Sequence, residues 1–85
     1  MSHSSRVMNV KISATTNWKG QIKTFPTKTY SYPHTTDVGN AQSTAGNYTK
    51  AKDEYKSWLR GQGNLDDERQ MSYLTWNMTH TVTYD

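Results

Sequence analysis

Val7-Met8-Asn9-Val10-Lys11-Ile12-Ser13-Ala14-Thr15 alternates residue by residue, with Met8, Val10, Ile12 and Ala14 in one row and Asn9, Lys11, Ser13 and Thr15 in the other. Successive side chains of an extended strand point to opposite faces, so this period of two marks a strand with one face in the core and one in water. Such alternation belongs to an antiparallel sheet covered on one side only. The rest of the chain has to supply the neighbours of this strand and its cover.

Asn17-Trp18-Lys19-Gly20 supplies turn residues, with Gly20 able to take a positive φ, and a second extended stretch over 21–32 completes a hairpin over 7–32. Pro26 cannot donate to a ladder, so it places the second strand at a sheet edge or marks a bulge, with a change of phase after it. Pro33 is read as the end of that strand and Asp37 as a helix N-cap. Val38, Ala41, Ala45, Tyr48, Ala51, Tyr55, Trp58 and Leu59 recur at spacings of three and four. That stripe predicts an amphipathic helix over 38–60, ended by Gly61 and Gly63.

Asn64 is read as the cap of a single turn reaching Arg69. The period of two returns over 71–84, where Leu74, Trp76, Met78, His80, Val82 and Tyr84 form one row and Tyr73, Thr75, Asn77, Thr79, Thr81 and Thr83 the other. A third strand paired with the first runs antiparallel to it, and the crossover through the helix is a split β-α-β unit. The expectation is one α+β domain over 1–85, with 1–6 flexible. Its three-stranded antiparallel sheet, β-β-α-β in order 2-1-3, carries one amphipathic helix on one face.

Composition bounds the function. A chain of 85 residues has room for one thin core. Leu, Ile, Val and Phe number only ten, a content typical of disordered chains, yet three Trp, six Tyr and one Phe supply large burial units that disordered chains lack. There is no cysteine, which excludes a disulfide framework, a thiolate metal site and a cysteine nucleophile. No apolar run is long enough for a membrane span, and the first ten residues lack the apolar stretch of a signal peptide, so a cytoplasmic protein without a membrane partner is expected.

No catalytic pattern stands out. His3, His34 and His80 lie apart without the spacing of a metal pair. Asp66, Asp67 and Glu68 could hold a cation in principle, but the first turn of a helix, where the dipole favours acids, explains them without one. Neither a nucleophile elbow nor a phosphate loop is present. No enzyme, cofactor, metal or small-molecule substrate is expected.

Charge is the informative feature. Before Asp37 the chain holds Arg6, Lys11, Lys19, Lys23 and Lys28 and no acid, a local +5, while the remainder is −2 and completes the net +3. The expected platform is the open sheet face, with Lys11, Lys23 and Phe25 beside Tyr73, Thr75 and Asn77. Such a face offers phosphate neutralisation, stacking and hydrogen bonds together. Thr and Lys also serve simply as good exposed-strand residues. Trp18 beside Lys19 either stacks on an unpaired base or folds back as a lid on the core. Lys52, Lys56 and Arg60 recur every four residues on the helix as a secondary basic stripe, at a small repulsive cost that an anion would reverse. The candidate RNA-binding residues are Arg6, Lys11, Trp18, Lys19, Lys23, Phe25, Lys28 and Tyr73.

In size, polarity, Tyr and Trp content and β-β-α-β pattern the chain resembles the small accessory proteins that large double-stranded DNA phages use against host defences. The resemblance implies a protein that occupies another molecule. Because this chain is basic, the implied target is an RNA or a ribonucleoprotein, such as the RNA of a toxin–antitoxin complex. The alternative is an inhibitor or adaptor that binds protein through a strand edge or an aromatic surface. A homodimer formed at the third strand is also expected, since its alternating polar residues leave that edge unobstructed.

Overall fold

The structure is a computed structural model and describes residues 6–34, 40–62, 65 and 67–84. In chain order it has β1 (Arg6–Trp18), β2 (Gln21–Thr24), β3 (Lys28–His34), α1 (Asn40–Gln62), a 3-10 helix (Glu68–Tyr73) and β4 (Leu74–Tyr84). The expected caps Asp37 and Asn64, the stretch 1–5, Val38, Gly39, Gly63 and Asp66 fall outside the described residues, as does the side chain of Ala41.

The α+β class and the central position of the first strand are as expected. β1 pairs antiparallel with β2 through Thr15–Trp18 and with β3 through Arg6–Ile12. It also pairs antiparallel with β4 along Arg6–Thr16. A strand has two edges, so β2 and β3 occupy successive lengths of one edge of β1 and β4 fills the other.

The stretch expected as one strand over 21–32 is two strands, and the register explains why. β2 pairs Thr15 with Thr24, and the ladder reaches one residue further through the Phe25 amide, which donates to Ala14 O at 2.9 Å. β3 resumes with Ile12 opposite Lys28. Pro26 and Thr27 therefore face the single residue Ser13, which is a bulge, and side chains change faces across it. Pro33 does not end the strand. It lies within β3, in register with Val7 at a sheet edge, where its missing N–H breaks no ladder bond.

The hairpin turn consists of Lys19 (φ 54°) and Gly20 (φ 79°). Two successive residues at positive φ make a type I′ turn, whose twist matches the flanking strands.

Met8, Val10, Ile12, Ala14 and Thr16 form the buried row of β1. Ala51, Tyr55 and Leu59 of α1 close over this row, and Phe25 completes the core. The helix lies over β1 and β3. Its buried stripe differs from the expected one at the first turns: Ala45 is exposed and Asn47 is buried. Asn47 donates to Pro33 O at 3.0 Å and lies 3.4 Å from the Met8 sulfur, tying the helix to β3. Gly61 does not stop α1, which runs on through Gln62.

Of the expected turn over 64–69, Asn64 and Asp66 lie outside the described residues, and the helical turn that is described is the 3-10 helix. Asp67 caps the 3-10 helix, accepting from the Arg69 amide at 2.8 Å, while the Gln70 side chain accepts from the Asp67 amide at 3.1 Å. Met71 to Tyr73, expected to open the third strand, complete this 3-10 helix, and β4 begins at Leu74. Gln70 is buried, and Thr16 donates to its carbonyl at 3.5 Å.

Candidate nucleic-acid interface

The registers assign every strand residue to a face. Lys11 stands on the open face, in register with Thr29 on one side and Thr79 on the other. Around it Asn9, Ser13, Thr27, Asn77 and Thr81 line two shallow clefts of 180 and 190 Å³. This face is a field of hydroxyls and amides. Ser31 donates to Asn9 Oδ1 at 2.7 Å, and Asn9 reaches Thr83 Oγ1 at 3.5 Å.

The expected platform is not assembled there. Lys23 is in register with Thr16, a buried residue of the helix side, so Lys23 projects to that side, with its ammonium 5.3 Å from the Phe25 ring. Phe25, expected as an exposed stacking ring, is 2% exposed and belongs to the core. Tyr73 leaves the strand row altogether and ends the 3-10 helix. Arg6 stands at the far end of β1, in register with His34 and Tyr84.

Lys28, opposite Ile12, lies on the helix side as well, its ammonium 4.6 Å from the Trp58 ring centroid. That pair borders an open groove of 410 Å³ shared with Tyr30, Asp53, Glu54 and Ser57. Tyr30 lies in register with Val10, and its hydroxyl, buried without a hydrogen-bond partner, titrates above its usual value because of burial and then the Glu54 charge. Tyr32 donates to Glu54, and its hydroxyl is raised by burial first and by that bond second.

Two further groupings of cations and aromatic rings stand among the described residues. At the hairpin tip the Trp18 ring has the Lys19 ammonium at 5.4 Å, the Arg69 guanidinium at 5.1 Å and the Tyr73 ring at 5.4 Å. Asp67 holds Arg69 with an ion pair of 2.8 Å, and that bond keeps the Asp67 carboxyl at about 2. On the helix side, Lys52 and Lys56 place their ammonium groups 5.8 and 6.0 Å from the Trp76 ring, which meets Tyr55 edge-on at 5.8 Å. The third member of the expected helical stripe differs, because Arg60 pairs with Glu68 at 2.7 Å.

Sequence reasoning missed Arg69. Once β1 and β4 pair with Thr16 opposite Leu74, the residues just before Leu74 must lie beside Trp18, so the pairing itself carried the signal. Among the described residues no group of His, Cys, Asp and Glu is arranged to hold a metal. No helix among them is long and apolar enough to cross a membrane. The chain matches no family model, no curated protein and no solved structure.

Proposed function

We propose that this chain is a small, non-enzymatic RNA-binding protein whose contact surface is the helix side and hairpin tip rather than the open sheet face. One observation carries the reading. All three tryptophans are partly exposed, and each has at least one cation within 6.0 Å of its ring: Lys19 and Arg69 at Trp18, Lys28 at Trp58, Lys52 and Lys56 at Trp76.

A ring flanked by cations suits unpaired nucleotides, since the base stacks on the ring while the cations meet the phosphates. Stacking accepts any base, so little sequence preference is expected from this surface. The open face, with Lys11 among hydroxyls and amides, contributes polar contacts of secondary weight. An inhibitor that sequesters the RNA of a host toxin–antitoxin complex in the cytoplasm is a setting such a module fits, and it rests on the resemblance to phage accessory proteins.

A mobility-shift series with a single-stranded RNA of mixed sequence tests the reading. Affinity should fall steeply with salt, because each neutralised phosphate releases condensed counterions. Absence of a shift even at low salt would remove it. A protein partner retained from nuclease-treated lysate would instead favour an adaptor that docks by a strand edge or an aromatic surface.

A further inference from the structure

The two outer edges of this sheet are built differently. Along one edge, β2 is only 4 residues long, a bulge at Pro26 separates it from β3, and β3 contains Pro33. Lys23 and Lys28 lie on it as well. Proline, lysine, bulges and short strands are the devices that keep an edge from pairing with another chain.

β4 has none of them. Its 11 residues, Leu-Thr-Trp-Asn-Met-Thr-His-Thr-Val-Thr-Tyr, include no proline, no glycine and no Asp, Glu, Lys or Arg. Its register with β1 runs unbroken from Arg6 opposite Tyr84 to Thr16 opposite Leu74. Among the described residues no strand pairs with its other edge. Because α1 lies over β1 and β3, the helix-side row of β4 stays partly exposed at Leu74, Trp76, Met78 and Val82. An unprotected ladder thus runs beside a half-covered apolar row.

The order of residues in β4 indicates what fits there. Residues directly opposite in an antiparallel pair share a face, so two copies related by a two-fold axis keep both faces continuous only if the axis passes through a residue. An axis through Thr79 engages all 11 residues. It sets Thr79 against itself, Thr75 against Thr83 and Asn77 against Thr81, all on the open face. On the helix side it sets Trp76 against Val82 and Met78 against His80. Thr with Thr and an aromatic ring with a β-branched residue are favourable cross-strand pairs, and no pair brings like charges together.

We propose that two copies of this chain pair β4 to β4, antiparallel, about a two-fold axis through Thr79. The sheets become one, about ten backbone hydrogen bonds form across the join, and Val82 of each copy lies beside Trp76 of the other, leaving the ring flanked by Lys52 and Lys56. Both helices lie on the same side of the joined sheet. The pairing needs no RNA.

The chain has no cysteine, so single-cysteine variants give a direct test. A residue on the axis meets its own copy with Cβ atoms about 5 Å apart, whereas Thr75 lies about 26 Å from its own copy at 3.3 Å per residue. Thr79→Cys should cross-link into a dimer under mild oxidation, and Thr75→Cys should not. Light scattering without RNA should give twice 9.8 kDa for the native chain. Asn77→Lys with Thr81→Lys sets two like-charge pairs across the join and should give monomers, while Asn77→Lys with Thr81→Glu sets two opposite-charge pairs and should restore the dimer. A native mass of one chain at about 100 μM, equal cross-linking at positions 75 and 79, or a folded double-lysine variant that remains dimeric would overturn the proposal. Should that variant fail to fold, the cysteine pair decides.

Discussion

Lys19 occupies the left-handed region at φ 54°, a conformation that costs an ordinary side chain about 1 kcal/mol and that Asn tolerates far better. Its ammonium approaches the Trp18 ring at 5.4 Å, which places it in the proposed RNA contact at the hairpin tip. Lys19→Asn should therefore raise stability by about 0.5 kcal/mol, read as a higher Tm, and should weaken RNA binding. An unchanged affinity would remove the tip from the interface.

Tyr55 poses a different residue-scale case. Its ring is fully buried, its hydroxyl donates to Pro26 O at 2.5 Å, and burial pushes its pKa from 10.0 up to about 12. The bond ties the helix to the bulge that changes the faces of the second strand. Since the folded value lies above the unfolded one, this contribution to stability is complete below pH 10.0 and is lost as pH rises through about 12. Tyr55→Phe should cost about 1 kcal/mol near neutral pH. The loss of stability between pH 10 and 12 should be shallower in that variant, as followed by denaturant midpoints.

At the scale of elements, the 3-10 helix is held by a carboxylate cap that acid removes. Asp67 caps it, and the Arg69 side chain, more than the Arg69 amide, holds the carboxyl at about 2 against an ordinary 3.8. A depressed carboxylate stabilises fully above pH 3.8 and stops doing so as pH falls through about 2. Backbone amide shifts of Glu68 to Tyr73 should move in that window, ahead of those in β1. Asp67→Asn, which keeps an acceptor for the amide but loses the ion pair, should abolish the transition. A transition unchanged in that variant would mean that another group reports it.

β1, the helix and β4 were legible because each carries an unambiguous period, two or 3.6, over more than ten residues. The second strand was legible only in part. A two-residue turn at Lys19 and Gly20 sets Trp18 opposite Gln21 and hence Thr16 opposite Lys23, which sends Lys23 and Phe25 to the core side. The turn residues are plain in the sequence, but the four residues Asn17 to Gly20 leave the length of the turn, and with it the register, open. Asn47 was passed over because an amide on an apolar stripe reads as polar surface, and only the Pro33 carbonyl above it explains its burial. The 3-10 helix gave no period to read, and it carries the residues that complete the Trp18 cluster.

The whole molecule is elongated, with principal extents of 54 × 21 × 15 Å and a radius of gyration of 15.2 Å, against about 12 Å for a compact chain of this length. Its sheet has a helix side and an open side, and the bulge at Pro26 and the hairpin register together decide which is basic. They turn Lys23 and Lys28 toward the helix, where Lys52 and Lys56 already flank Trp76. Lys11 remains on the opposite side among threonines. Lys23 and Lys28 thus stand on the helix side, whereas strand alternation sets Lys23 on the open face, and the proposal that RNA meets the helix side rests on this placement.

That claim is tested most directly by comparing two charge-reversed proteins in RNA binding as a function of salt. Lys52→Glu with Lys56→Glu replaces two of the cations beside tryptophan, and Lys11→Glu replaces the cation of the open face. Both leave the core row untouched, so circular dichroism should match the native chain. The helix-side variant should bind RNA roughly tenfold to a hundredfold more weakly at low salt, with the slope of log affinity against log salt shallower by about 2. Lys11→Glu should change affinity by about threefold or less. A larger loss from Lys11→Glu than from the helix-side pair, with both proteins folded, would contradict the assignment and return the interface to the open face of the sheet.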